Sequence, residues 1–280
     1  MAALGAVGAV ALSSIALQEK SRRDGIEANF KEMDERIEEA LTLLRTAAKR
    51  PASEEAPDLL VRADDYLYAA GFSAFHAIRA GSSHQEVATL HLRVATVLTK
   101  RADAIRKLIP HRAGAAEPTY EHMKSIATAD DQSAALQCVE ALELEKESTK
   151  GVRPKTWYML TLATYRLHKA DPPVALPGYQ KRYNFEIVAT DAISAYERAL
   201  IETPDNGEVY YYLGKIRELQ GTEDLAREAY ARAWTIIDKW KQRRWGPNRR
   251  PDWLDEDEMR SLSKHAPLDR EPELKSILKF

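Results

Sequence analysis

The chain has 280 residues, 44% of them hydrophobic, and its 41 Lys+Arg against 43 Asp+Glu leave a formal charge of -2. That length accommodates one large domain or two small ones with a filled core, and the charge balance excludes a chain that is basic throughout, confining any nucleic-acid or acidic-lipid contact to a local patch. A single cysteine excludes an intramolecular disulfide framework and a Cys-based zinc cluster.

Ala2–Leu17 carries no charge and is followed at once by Glu19, Lys20, Arg22 and Arg23. As a helix this run is about 24 Å long, short of the roughly 30 Å hydrocarbon core of a bilayer. Residues 1–18 therefore read as an uncleaved membrane anchor, as a signal peptide with Ser14-Ile15-Ala16 as a loose cleavage site, or as a helix buried against a partner. As an anchor, with Lys and Arg just behind it, the segment keeps the body on the cytosolic side.

Over residues 19–50, Ile26, Phe30, Met33, Ile37, Ala40 and Leu44 recur at steps of four and three among charged residues. This predicts an amphipathic helix with a narrow apolar seam, long enough either to self-associate as a short coiled coil or to pack on the body. Pro51 through Pro57 ends it.

From 58 to 240 nearly every apolar run keeps the helical spacing, so the predicted class is all-α. Within Gly207–Trp234, the residues Tyr210, Leu213, Gly214, Gly221, Ala226, Tyr230 and Ala233 fall at the spacing of a tetratricopeptide repeat. Gly214 and Ala226 are small where the two helices of a hairpin cross closely, and Tyr210 and Tyr230 are expected to fill the space between successive hairpins. Gly221 is placed to end the first helix at positive φ. Upstream, Ala192, Tyr196, Ala199 and Pro204 repeat the second half of the pattern, and Pro154–Lys169 supplies its first helix, with Pro154 in the first turn. An insertion containing Asp171-Pro172-Pro173 and Tyr179–Tyr183 stretches this unit. Further back, Ala134, Cys138 and Ala141 keep the small-residue spacing of a second helix. The predicted architecture is a tetratricopeptide-repeat-like α-solenoid.

Ala63-Asp64-Asp65-Tyr66-Leu67-Tyr68 followed by Gly71 resembles the A-D-x-L-Y-x-x-G opening of the regulator of microtubule dynamics family. Lys155-Thr156-Trp157-Tyr158 resembles that family's K-W-Y helix, and the insertion before Ala192–Leu200 falls where the family has one. The order of anchor, coiled-coil-like helix and helical-repeat body is also that of its membrane-attached members. The resemblance implies a non-catalytic protein associated with microtubules, mitochondria or the contact between mitochondrion and endoplasmic reticulum, and some members bind lipid.

The residues themselves assemble no reactive centre, and neither a cofactor nor a metal is expected. His84 and His91, seven apart, share a helix face but lack the further converging ligands a metal needs. Cys138 lies among small apolar residues and reads as a packed thiol. Acidic pairs such as Asp64-Asp65 and Asp130-Asp131 read as solvated helix starts. Phosphate-binding glycine loops and a nucleophile elbow are absent from the sequence.

In the extension 241–280, Lys241, Arg243, Arg244, Arg249 and Arg250 are interleaved with Trp245 and Trp253. Guanidinium and indole together suit an acidic protein tail or anionic lipid, and nucleic acid less well because the rest of the chain is not basic. Alternatively the tryptophans cap the last repeat, and Asp255-Glu256-Asp257-Glu258 neutralises the patch internally. The inner face of a standard repeat array is lined by the first helix of each hairpin. That makes Tyr211, Lys215 and Glu218 candidates for partner binding, with Thr161 and Tyr165 in the stretched unit. The expectation is a scaffold or adaptor, attached through its N-terminus to the membrane of a mitochondrion or endoplasmic reticulum, that binds a protein partner or lipid. The alternative is a structural accessory subunit of a large organellar membrane complex.

Overall fold

The computed structural model describes residues 2–49, 55–79, 83–108, 117–148, 151–179, 182–240, 253–254, 256–263 and 265. Every regular element among them is an α-helix, as the periodicity predicts, and the chain divides into two units, Met1–Gly151 and Val152–Phe280. The division falls inside the span 58–240 that the sequence presents as one repeat domain.

The first unit holds α1 (Ala2–Lys49), α2 (Ala56–Arg79), α3 (His84–Leu108) and α4 (Glu117–Lys146). The apolar run and the amphipathic segment form one continuous helix, α1, and no described helix is long and apolar enough to cross a membrane. The seam faces inward within this unit. Met33, Ile37 and Leu41 pack with Ala70 of α2 and with Leu90 and Val97 of α3, while Ala40 and Leu44 meet Ala63 and Ala104. Full burial of side chains of this size stabilises by about 1.5–3 kcal/mol each, enough to hold α1 along its neighbours. Phe30 is the one seam residue whose side chain lies outside the described set.

Two local devices set α3 in place. Its N-terminus is a capping box in which the Ser83 backbone N–H donates to Glu86 at 2.8 Å and the Glu86 N–H donates to Ser83 Oγ at 3.4 Å. The Ser83 backbone bond, together with a second from the Ser83 hydroxyl to the same carboxylate at 2.8 Å, holds the Glu86 carboxyl below the usual carboxylate range. Along its length, α3 lies against α4, where Ala134, Cys138 and Ala141 are fully buried. Small residues at that spacing let the two backbones approach.

Asp130 and Asp131 require a correction. They are mid-helix residues of α4, exposed by only 5% and 1%, and pair with Arg101 and Arg106 of α3. A carboxylate this deep is tolerated only with a cation beside it, so the two pairs fix the register of α3 on α4. Asp65, by contrast, is exposed.

The second unit holds α5 (Pro154–Lys169), α6 (Phe185–Glu202), α7 (Gly207–Leu219), α8 (Glu223–Trp240) and α9 (Glu256–Ser263). Helix α5 packs against both α6 and α7, and α7 packs most extensively on α8. Pro154 occupies the first turn of α5, where its missing N–H is not needed. The Tyr196 hydroxyl of α6 donates to the Pro154 carbonyl at 2.5 Å, closing the stretched hairpin at its open end. Asn184 and Asn206 cap α6 and α7, accepting from Ile187 N–H at 3.0 Å and Val209 N–H at 3.2 Å. At the other end of α7, Gly221 stands at φ 74°. The Thr222 N–H donates to the Arg217 carbonyl at 3.0 Å and the Gly221 N–H to the Glu218 carbonyl at 2.9 Å, a Schellman stop.

The insertion folds back on its own hairpin. Leu176 and Tyr183 are buried, and with Thr164, Leu167, His168 and Phe185 they border a shallow cavity of about 190 Å³.

Candidate partner-binding face

The geometry sorts the residues selected from the repeat pattern into three groups. Thr161 is fully buried, its hydroxyl donating back to the Trp157 carbonyl at 2.8 Å, so it cannot line an accessible face. The pattern places Thr161 on the first helix of a hairpin, but the local phase of α5 turns it into the core. Tyr165 is half-buried beside Phe185, ring centroids 5.1 Å apart, with Lys169 Nζ 5.8 Å over its ring. It belongs to the contact between α5 and α6.

Tyr211, Lys215 and Glu218 do come together on α7, and a segment of the same chain covers them. Tyr211 is only 2% exposed, with the Trp253 ring 5.8 Å away. Lys215 donates to Ser261 Oγ and holds its ammonium 5.7 Å from the Tyr211 ring. Glu218 accepts from the Tyr230 hydroxyl at 2.7 Å and faces His265 Nε2 at 3.3 Å. His265 in turn stacks on Tyr230, centroids 4.2 Å apart.

The centre of the contact is Glu258 of α9. Its carboxylate accepts from Lys155 Nζ at 3.0 Å and from the Tyr212 hydroxyl. Lys155 thus joins α5 to the same site. Burial, and then the Glu258 charge, push the Tyr212 hydroxyl well above the ordinary phenol value, so it stays a donor. Around this polar centre Leu254, Met259 and Leu262, all at most 2% exposed, enter the apolar cluster built by Val209, Tyr211, Tyr212, Tyr230 and Trp234. Glu208, at the start of α7, is pushed up to about 7 by burial and by Glu258, with Lys155 and Arg153 opposing.

Sequence reasoning selected three of the α7 residues and missed Lys155, Tyr212 and Glu258. The acidic run Asp255–Glu258 is expected to neutralise the basic patch, whereas Glu258 pairs with Lys155, 103 residues away. The Trp253 ring lies 5.8 Å from that of Tyr211 on α7. A usable signal was the spacing of Glu258, Met259 and Leu262, one face of a short helix. Lys241, Arg243, Arg244, Trp245, Arg249 and Arg250 lie outside the described residues.

Elsewhere the histidines of α3 have partners other than metal. His91 Nδ1 is 2.7 Å from Gln137 Oε1, and His84 Nδ1 is 3.5 Å from Glu147. Among the described residues no three His, Cys, Asp or Glu side chains are grouped to hold a metal ion. Cys138 is fully buried, and burial, with the Glu145 charge adding to it, pushes its thiol far above the ordinary value, as the packed-thiol reading requires.

Comparison with family models, with curated proteins and with solved structures returns no significant match.

Proposed function

We propose that the chain is a non-catalytic helical-repeat adaptor that binds a protein partner on the α5–α7–α8 face, attached to a membrane through its apolar N-terminal run. The observation that carries the reading is the convergence on α7 of Tyr211, Lys215 and Glu218 with Lys155 of α5, which forms a cationic and aromatic face where an acidic helix docks. Packing of α5 on α6 and α7, and of α7 on α8, supports two successive hairpins of a tetratricopeptide-like solenoid. Such arrays leave a first-helix face for extended or helical ligands. The resemblance to regulators of microtubule dynamics supports a place at a mitochondrial or endoplasmic-reticulum membrane with the body in the cytosol. It also makes microtubules and anionic lipid, the latter reached through the 241–250 stretch, the first ligands to try.

The test is co-sedimentation of the full chain with microtubules and with anionic vesicles, alongside enrichment of its partners from native membranes. Lys215→Glu is expected to weaken capture by tenfold or more while the far-UV circular dichroism is unchanged. Equal capture by the folded variant counts against the reading. Stoichiometric comigration with one large complex, and no free pool, would favour an accessory subunit instead.

A further inference from the structure

Helix α9 has eight residues, too few to be stable as a helix in water, so its helicity depends on what it docks against. Among its described side chains, Glu258, Met259, Ser261 and Leu262 make the contact with α5, α7 and α8, while Trp253, Leu254 and His265 extend it at the two ends. The receiving face matches that chemistry. Lys155 and Lys215 supply positive charge, Tyr212 donates a hydroxyl to the carboxylate, and Tyr211 and Tyr230 present rings to the indole and the imidazole. Helix α9 is thus complementary to this face in charge and in ring contacts.

We propose that the α5–α7–α8 face recognises a short acidic amphipathic helix of a partner protein, bearing an aromatic residue, a carboxylate and two apolar residues on one side, and that Trp253–His265 competes with it intramolecularly and keeps the free chain autoinhibited. The inference rests on the adaptor reading and adds both the class of partner and its regulation. A tethered segment competes at the high local concentration set by its linker, so a partner helix wins by exceeding the cis affinity or by arriving when α9 is released. Release unfolds α9 and exposes Tyr211, Lys215 and Glu218 together, which makes the switch two-state.

The experiment uses the full chain and a fluorescent peptide of residues 251–265 as the probe, read by anisotropy. Wild type is expected to bind the peptide weakly. Leu262→Asp, which expels the cis segment, should bind it at least tenfold more tightly, and Lys155→Glu placed on top of it should remove that gain. Equal affinity of wild type and Leu262→Asp overturns the proposal. If Leu262→Asp does not fold, Glu258→Gln provides the milder release, with the same two outcomes.

Hydrogen exchange of the wild type gives a readout that needs no variant. The α9 amides should exchange through a local opening, at least a hundredfold faster than the central amides of α7. Protection of α9 equal to that of α7 would make it a permanent structural cap and overturn the proposal, as would a concentration-dependent dimer formed by exchange of the segment between copies. Peptide capture reads the face without the native partner. A released chain that captures peptide but enriches nothing from membranes therefore faults the adaptor reading, and one that captures no peptide faults the autoinhibition.

Discussion

A Cβ built on Gly214 would stand 2.6 Å from Cε1 of Tyr230 and under 3 Å from two further atoms of that ring. The tyrosine is fully buried in the α7–α8 contact, with its hydroxyl tied to Glu218 at 2.7 Å, so the ring cannot swing aside without breaking that bond. The tight crossing is thus set by a pair, a missing side chain on one helix and a large one on the other. Gly214→Ala gains up to about 1 kcal/mol of helix propensity but meets an overpacking penalty of about 1–3 kcal/mol, so net destabilisation is expected. Urea denaturation followed by tryptophan fluorescence decides this. A Gly214→Ala chain as stable as wild type would mean that the hairpin relaxes freely.

That close approach was legible in the sequence, and so was much of the second unit. The Leu-Gly and Ala spacing identified Gly214 and Ala226, Gly221 was placed at positive φ, and Pro154 at the first turn of α5. Each encodes a local backbone requirement that a single residue type announces. Tyr230 was harder. Repeat logic put it between successive hairpins, whereas its ring fills the crossing of its own hairpin and stacks on His265. The covering of Tyr211 and Lys215 was not legible, because the pairing of Glu258 with Lys155 spans 103 residues and depends on a docking that no local pattern encodes. Likewise, the burial of Asp131 depends on Arg106 of a different helix, 25 residues away. Nothing about an Asp-Asp pair in isolation signals that.

Glu208 makes the second unit sensitive to pH. Its folded value of about 7 lies above the ordinary carboxylate value of 4.5, so between these two the folded chain holds a proton that the unfolded chain has released. Stability therefore declines as pH rises through that window and levels off above about 7. The loss is on the order of 3 kcal/mol at most. Glu208→Gln should raise the thermal midpoint at pH 8 and leave it close to wild type at pH 4.5. Parallel pH profiles for the two proteins would exclude Glu208 as the source. Lys155, Arg153, Glu258, Tyr196 and Tyr212 are the groups in its field, and Lys155→Met should extend the decline to higher pH, because it removes a cation that lowers the Glu208 value.

The pair between Arg106 and Asp131 is asymmetric in exposure, with side chains 36% and 1% exposed respectively. Removing the arginine takes the cation from a carboxylate in the core, whereas removing the acid leaves a guanidinium that is partly exposed and has Asp103 at 4.0 Å. Arg106→Met is accordingly expected to cost about 3 kcal/mol, Asp131→Asn about 1 kcal/mol, and the double variant less than the sum. A double-mutant cycle in urea measures this. Equal single losses would show that the burial of Asp131 carries no penalty of its own.

Cys138, the only cysteine of the chain, lies on the same helix as Asp131, so its labelling reports on the first unit. A thiol that is fully buried and held far from ionisation does not react until α4 separates from its neighbours. Modification by a chromogenic disulfide reagent is expected to be absent over hours in native buffer, and to follow the opening equilibrium as urea is added. Arg106→Met should speed it by about a hundredfold if its loss of about 3 kcal/mol is expressed in that opening. Prompt labelling of the native wild type would show that the α3–α4 contact opens far more readily than its fully buried alanines imply.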